Sequence, residues 1–174
     1  LIVILVYIVM ATQFESLKFP FIIMFTIPFA FTGVFLALWM TSTPLSLIAL
    51  IGAIMLVGIV TKNGIVMVDY MNLLIERGSG VFDAVIAGGK SRLRPVLMTS
   101  FTTILGMLPL AIGTGAGSET WQPMGIAVIG GLTFSTILTL FIVPVLYSIL
   151  VNRSQRKERE KLARLSAEHQ ASKH

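Results

Sequence analysis

The chain has 174 residues, of which 55% are hydrophobic and only 12% are charged, and its mean hydropathy is +0.89. Soluble domains carry about 25% charged residues, so this composition excludes a water-soluble globular protein. The formal net charge is +5, and the absence of cysteine excludes disulfides, thiolate nucleophiles and cysteine metal sites.

Apolar runs of membrane length set the expected architecture. Lipid offers the backbone no hydrogen-bond partners, so such runs are predicted to be helices, and ~17 or more residues are needed to cross a bilayer. The predicted fold class is an all-α membrane protein, a helical transmembrane bundle with four complete spans at 19–40, 45–76, 95–112 and 123–151. Residues 1–12 are apolar but short, which predicts one truncated N-terminal span.

Two less apolar segments complete this organisation. Residues 81–93 have an apolar face, an acidic residue in the first turn and basic residues in the last, which predicts an amphipathic interfacial helix along the membrane surface. Pro95 is expected to start the next span. Residues 152–174 hold seven basic and three acidic residues, which predicts a cytoplasmic basic tail, either a helical extension or disordered.

The basic residues predict the orientation, because Lys and Arg near span ends mark the cytoplasmic side. Alternating spans place 12 of the 13 Lys and Arg on one side, in the joint 13–18, in the tail, and in the segment 78–94 with Arg77 just before it. That side is predicted to be the cytoplasm. The tail lacks interleaved aromatics, so nucleic acid is not an expected partner. Membrane lipid is an expected partner because of the apolar spans.

Two other patterns have structural explanations. Glycines inside the spans are expected to let helices pack closely, namely Gly52, Gly58, Gly125, Gly130 and Gly131. The run GTGAGSETWQ at 113–122 follows a membrane helix and opens no βαβ unit, so a turn is predicted there and a dinucleotide site is not. His169 and His174 lie in the polar tail without acidic neighbours, and no metal site is predicted.

One charge lies deep within the span 45–76. Lys62 is more than about 12 Å from either end along a helix, whereas a lysine side chain reaches only about 6 Å. Ionisable groups at this depth usually face a protein interior and mark an ion or substrate pathway. The alternative is a structural lysine bonded to neighbouring helix carbonyls.

Four motifs resemble a known family, in order and in register. They are GIVTKNGIVMVDYMN around Lys62, SRLRPVLMTS, PLAIGTGAGSE and VIGGLTFSTILTLFIVPVLYSIL. Over residues 1–151 the chain resembles the resistance-nodulation-cell division (RND) multidrug efflux permeases of the hydrophobe/amphiphile type. The resemblance implies a multi-pass protein of the bacterial inner membrane with large periplasmic domains, of which this chain would be the C-terminal transmembrane part.

The resemblance also implies a proton relay. Lys62 stands where the family has a lysine that pairs with two aspartates of an earlier span, and protonation of those aspartates releases it and drives export. Thr99 matches the family's threonine partner, and Arg92 matches its basic residue at the cytoplasmic proton exit. Asn63 is a further relay candidate, and Asp69 is a weaker one, since Asp69 could instead be a carboxylate at the membrane interface.

Each of these assignments has an alternative. Helical rise from Pro95 places Thr102 or Thr103, rather than Thr99, nearer the depth of Lys62. Any of these hydroxyls could instead bond to the carbonyl four residues back in its own helix. Arg92, with Lys90 and Arg94, would also suit anionic lipid headgroups.

The function expected from the sequence is proton-driven export of hydrophobic or amphiphilic compounds, powered by the proton-motive force, with no cofactor and no enzymatic reaction. The implied partners are the rest of the permease with its acidic pair, a homotrimeric assembly, a periplasmic adaptor and an outer-membrane channel. Two alternatives are a protein-export motor subunit of the same superfamily and a non-transporting membrane anchor or interaction module. The TKNG and TGAGSE runs favour the efflux permease.

Overall fold

The computed structural model describes the backbone of residues 1–171 and the side chains of residues 1–166, so the two histidines of the tail lie outside the described side chains. The described part is all-α, as predicted, and contains α1 (Ile2–Phe14), α2 (Lys18–Met24), α3 (Thr26–Met40), α4 (Leu47–Glu76), α5 (Val81–Ile112) and α6 (Ser118–Ala171). Four stretches of it are long and apolar enough to cross a membrane: Lys18–Met40, Leu47–Glu76, Val81–Ile112 and Ser118–Ser166.

The first complete span is interrupted at Phe25, between α2 and α3. Pro28 lies in the first turn of α3, where a backbone N–H would have no partner within α3. Because proline has no N–H, it cannot bond to the Met24 carbonyl and so continue α2 into α3. The Thr26 hydroxyl donates instead to the carbonyl of Ile23 at 2.6 Å. This side-chain bond satisfies one backbone group near the break, as the lipid environment requires.

The segment 81–93 differs from the prediction of a separate interfacial helix. It is continuous with the following span, and Pro95 lies inside the single helix α5. A proline inside a helix removes one backbone hydrogen bond, whereas ending the helix there would leave several N–H and C=O groups without partners. Keeping the helix intact is therefore the smaller cost.

The long helix α6 is the centre of the bundle. It packs against α2, α3, α4 and α5. It also continues past the apolar part of its sequence to Ala171, so the tail is a helical extension rather than a disordered segment over its described length.

Two apolar clusters fill the bundle, one above the other. One cluster contains Val34 of α3, Leu56 and Val60 of α4, and Leu132 of α6. A second cluster towards the opposite end is formed by Met10, Ile22, Ile23, Met67, Val68, Met71, Val143 and Tyr147. The stretch of α4 between the clusters, from Thr61 to Gly64, carries the lysine at its start.

Four of the five glycines expected at helix contacts are confirmed there. A Cβ on Gly52 would meet Met124, one on Gly125 would meet the backbone of Ala111, and Gly130 and Gly131 lie against α3 and α4. Gly58 is the exception, because no heavy atom of the described chain lies within 4 Å of a Cβ built on it.

The predicted turn after α5 is confirmed but is shorter than expected. The helix ends at Ile112, and α6 begins at Ser118. Gly113, Gly115 and Gly117 have φ values of 73°, 135° and 83°, a region that glycine enters without steric cost. Three glycines in five residues therefore make this tight reversal possible.

Candidate functional site

Lys62 emerges from the face of α4 that points away from the bundle. The exposed positions of this helix follow a helical stripe, in which Ile51 is 48% exposed, Met55 is 43% exposed and Leu73 is 38% exposed. Lys62 and Asp69 are exposed on the same stripe. The opposite face is buried, and it includes Thr61, directly before the lysine. The lysine is thus presented outward from the middle of a span.

The Lys62 ammonium has no carboxylate partner among residues 1–166, where the one ion pair joins Arg156 to Glu160 at 3.2 Å. Asp69 is on the same face but seven residues further along, which is about 10 Å of helical rise and too far for a salt bridge. The other described acidic residues lie near or beyond the ends of the helical spans. A charge in mid-membrane costs several kcal/mol unless it is paired, and residues 1–166 supply no acid that pairs with Lys62.

Gly58 leaves open space beside this lysine. It lies four residues before Lys62 on the same exposed stripe, and a Cβ placed on it would meet nothing within 4 Å. Small residues on membrane helices allow another helix to approach closely. The open glycine is therefore suited to a helix that brings an acidic side chain to Lys62.

Contacts between α4 and α5 define which residue of α5 is level with the lysine. The Ser91 hydroxyl donates to the Tyr70 hydroxyl at 3.4 Å, where the two antiparallel helices meet. Eight residues along α4 from Tyr70 lead to Lys62, and eight along α5 from Ser91 lead to Thr99. Thr99, rather than Thr102 or Thr103, is at the level of Lys62.

A second set of contacts, through α6, supports the same level. Leu56 lies against Gly131, and the Tyr147 hydroxyl donates to the Asn72 side chain, so in both contacts, which lie on either side of Thr61, the facing residues of α4 and α6 differ by 75 in number. This offset places Thr136 beside Thr61. The hydroxyls of Ser100 and Thr136 share a buried hydrogen bond at 2.9 Å, which brings α5 to that level too.

The three threonine hydroxyls of α5 all bond within their own helix. Thr99 donates to the carbonyl of Pro95 at 3.0 Å, Thr102 to that of Met98 at 2.8 Å, and Thr103 to that of Thr99 at 2.9 Å. The alternative considered for these side chains is therefore what the structure shows. Thr99 is also exposed, so its hydroxyl can still accept a bond from a neighbour.

Arg92 lies at the same end of α4 and α5 as Tyr70. Its guanidinium carbon is 4.7 Å from the centroid of the Tyr70 ring, a cation–π geometry, and its Nε is buried without a hydrogen-bond partner. Arg92 is half-buried, whereas Lys90 and Arg94 are exposed. The structure thus separates Arg92 from the two basic residues that face outward.

The structure does not give Asn63 or Asp69 a comparable contact. Asn63 is half-buried next to Lys62, and Asp69 is exposed next to Tyr70. Their assignments rest on position alone and stay predictions.

A layer of buried hydroxyls at the level of Lys62 was not identified from the sequence. It contains Ser100 and Thr136, which bond to each other, and Thr61 and Thr139, which are 6% and 3% exposed and whose hydroxyls have no partner. Buried hydroxyls without partners cost free energy. The sequence does show Ser and Thr residues close together within otherwise apolar spans. That they lie at the same height in the bundle depends on how three helices pack together.

Comparison with known proteins then identifies the family. Residues 1–151 match the profile of the AcrB/AcrD/AcrF family. The chain belongs to this family. Membership of the AcrB/AcrD/AcrF family places the chain among the RND efflux permeases, as the motifs around Lys62 predicted.

Relatives of this AcrB-family chain differ in the kind of resistance that their names state. It is 43% identical over 155 residues to the multidrug resistance protein MdtC of Erwinia tasmaniensis, covering 88% of this chain and 15% of that protein. It is 41% identical over 154 residues to the cobalt-zinc-cadmium resistance protein CzcA of Cupriavidus metallidurans, covering 88% of this chain and 14% of that protein.

A solved structure supports the fold of this family member as well. The crystal structure of a heavy metal efflux pump matches with a TM-score of 0.77 at 32% identity, covering 86% of this chain and 14% of that one. The chain therefore spans about 15% of the length of the relatives that it matches.

Proposed function

We propose that this chain is the C-terminal transmembrane part of a proton-driven efflux permease and that Lys62 is its relay cation. The observation that carries the proposal is the position of Lys62, at mid-span on an uncovered face, without an acid among residues 1–166 and beside the open Gly58. An acidic pair on a helix from the remainder of the permease would complete the site.

The chemistry of such a pair explains the coupling. In a medium of low dielectric constant, an ammonium and a carboxylate attract strongly, and each lowers the cost of burying the other. A proton that binds to the carboxylate removes its charge and ends the attraction. The helices that carry the ammonium and the carboxylate then have two arrangements, one for each protonation state. Alternation between these arrangements would couple proton transfer to export.

Thr99 and Arg92 take supporting roles in this proposal. Thr99 is level with Lys62, and its exposed hydroxyl offers an acceptor to the ammonium in the released state. Arg92 would act at the cytoplasmic end, where its guanidinium lies over the Tyr70 ring. Asn63 would assist beside the lysine, and Asp69 would receive the proton further along the same face.

For the substrate, we propose hydrophobic or amphiphilic compounds, on the strength of the relatives named multidrug resistance proteins. Export of divalent metal ions is the second candidate, because CzcA and the solved heavy metal pump match almost as well. The region that corresponds to this chain is similar in both kinds of relative. This similarity fits a common proton-coupling region in pumps that export different substrates.

We also propose a location and an assembly. The permease would lie in the bacterial inner membrane with the extension of α6 in the cytoplasm, as the distribution of basic residues predicts. It would act as a homotrimer with a periplasmic adaptor and an outer-membrane channel, as the resemblance implies.

The test is a comparison of cells that lack their own efflux pumps and express the full-length permease with Lys62 or with Lys62→Met. We expect the unaltered permease to lower accumulation of a lipophilic dye and Lys62→Met to abolish this, at equal membrane abundance. Tolerance of zinc without dye export would select the metal-ion candidate. If Lys62→Met kept both dye export and zinc tolerance at the level of the unaltered permease, this would contradict the relay role of Lys62.

A further inference from the structure

A cavity of about 520 Å³ lies between the start of α2 and the cytoplasmic extension of α6. Its charged lining consists of Lys18, Arg153, Arg156, Lys157 and Glu160. None of these residues takes part in the proposed relay, so the cavity requires an explanation of its own.

The cavity is held together by a hydrogen bond between distant parts of the chain. The Lys18 ammonium donates to the Ser154 hydroxyl at 2.8 Å. The backbone N–H of Lys18 donates to the Ser16 hydroxyl at 3.3 Å, which fixes the start of α2. The lysine head is thereby placed at the wall of the cavity, although two of its three donors stay available for another group.

The charges of the lining are not balanced. Glu160 is the one carboxylate among four cations, and Arg156 already binds it at 3.2 Å. Lys18, Arg153 and Lys157 therefore face the cavity without an acidic partner in the described part of the chain. Three cations around one space attract an anion with several acceptor oxygens.

The depth of the cavity indicates which anion. Leu150 belongs to its lining, and Tyr147, one turn further into the membrane, stacks on Phe19 with ring centroids 5.7 Å apart. The apolar run of α6 ends at Val151 and its polar part begins at Asn152 and Arg153, which marks the interface between hydrocarbon and headgroups. The cavity therefore lies at the level where lipid phosphates are found.

An apolar path leads from the cations towards the hydrocarbon. Ile149 and Leu146 precede Arg153 by four and seven residues, so they lie on the same side of α6. Ile149 is 46% exposed, and Leu146 is partly buried. An acyl chain can lie along these side chains while its headgroup reaches Arg153.

We propose that this cavity is a binding site for a phosphate group and that its occupant is the headgroup of an anionic phospholipid. Arg153 and Lys157 bind the phosphate from α6, and Lys18 closes the site from α2. The bound lipid links the extension of α6 to the α1–α2 joint. This proposal does not depend on the role of Lys62.

The test is native mass spectrometry of the full-length protein, delipidated and then titrated with phosphatidylglycerol or phosphatidylcholine. We expect preference for phosphatidylglycerol. The double variant Arg153→Gln with Lys157→Gln should bind the first phosphatidylglycerol roughly 30-fold more weakly, since each basic residue near the surface contributes about a factor of five. The matched control, Arg159→Gln with Lys161→Gln, removes the same charge from the same helix outside the cavity and should retain the unaltered affinity.

Three results would overturn the proposal. Equal weakening in both double variants would show general attraction to the basic extension. Equal binding of phosphatidylcholine would show that the cations do not select the headgroup. Displacement of the lipid by excess inorganic phosphate would show an anion site that needs no acyl chain, whereas persistence of the lipid supports the assignment.

Discussion

Thr61 and Lys62 are neighbours in the chain and meet opposite environments. Helical geometry turns successive residues by about 100°, so the hydroxyl of Thr61 enters the bundle while Lys62 leaves it. Inside, Thr61 lies level with the bonded hydroxyls of Ser100 and Thr136. The same layer of the bundle is thus polar on its inner side and cationic on its outer side.

The bond between Ser100 and Thr136 should contribute measurably to stability. In a double-mutant cycle, Ser100→Ala and Thr136→Val are expected to show a coupling of about 0.6 kcal/mol, a typical value for such bonds between membrane helices. Thr102→Val is the control, because its hydroxyl bonds only within α5. The measurement is unfolding of the full-length protein in mixed micelles.

If the coupling energy of Ser100 with Thr136 equalled that of Ser100 with Thr102, the hydroxyls of Ser100 and Thr136 would not interact across the α5–α6 contact.

At the residue scale, the sequence was sufficient to identify Lys62 as a charge in mid-span. It was not sufficient to predict which residues of α5 lie level with it. A lone charge within an apolar run needs no partner information to be noticed. The level of Thr99 depends on how α5 is aligned with α4, and that alignment follows from contacts such as Ser91 with Tyr70, which no periodicity shows. Helical rise from Pro95 misplaced it because α5 does not begin at that proline.

At the scale of helices, two prolines had opposite outcomes. Pro28 lies in the first turn of α3, just after the break at Phe25, whereas Pro95 lies in the interior of α5. Spans could be predicted because length and apolar composition are properties of the sequence. Whether a proline interrupts a helix depends on which other groups bond to the backbone around it, as the Thr26 hydroxyl bonds to the Ile23 carbonyl beside the break at Phe25. That information belongs to the folded structure.

Close approach of α3 and α6 at their glycines should be essential to the bundle. A Cβ on Gly33 would lie 2.9 Å from the carbonyl oxygen of Gly130 and 3.1 Å from the Cα of Gly131, and backbone atoms cannot turn aside. Gly33→Ala is therefore expected to destabilise the protein by about 1–3 kcal/mol. Reversible unfolding in micelles measures this.

The control for Gly33→Ala is Gly106→Ala, where the added methyl group meets nothing within 4 Å. It should change stability by less than about 1 kcal/mol, and in the stabilising direction, since alanine favours a helix over glycine. Equal effects of the two substitutions would refute the close contact.

At the scale of the whole molecule, the proposed orientation places the turn after α5 outside and the extension of α6 inside. The chain has no cysteine, so single introduced cysteines can be labelled cleanly. In intact cells, Ala116→Cys is expected to react with an impermeant thiol reagent added to the periplasm, and Ser166→Cys is expected to react only after the membrane is opened. Both positions are exposed, so access to the side chain is equal.

Labelling of Ser166→Cys in intact cells, with protection of Ala116→Cys, would invert the topology and remove Arg92 from the cytoplasmic side.

The face of α4 that carries Lys62 is exposed in this chain, and the rest of the permease would have to cover it. The most direct test of the relay is proton flux in proteoliposomes that contain the full-length permease and a pH-sensitive dye. With a pH gradient imposed, substrate should produce flux in the unaltered protein and none with Lys62→Met. Lys62→Arg should also fail, because a planar guanidinium cannot replace a compact ammonium.

The matched control in this measurement is Leu73→Met, a change on the same exposed face of α4 that leaves the charge pattern intact and should leave the flux unchanged. All four proteins must be reconstituted in equal amount, and folding of Lys62→Met is expected because the proposed partner acids can bind protons and become neutral. Substrate-dependent flux is expected for the unaltered protein and for Leu73→Met alone. Normal flux with Lys62→Met would contradict it.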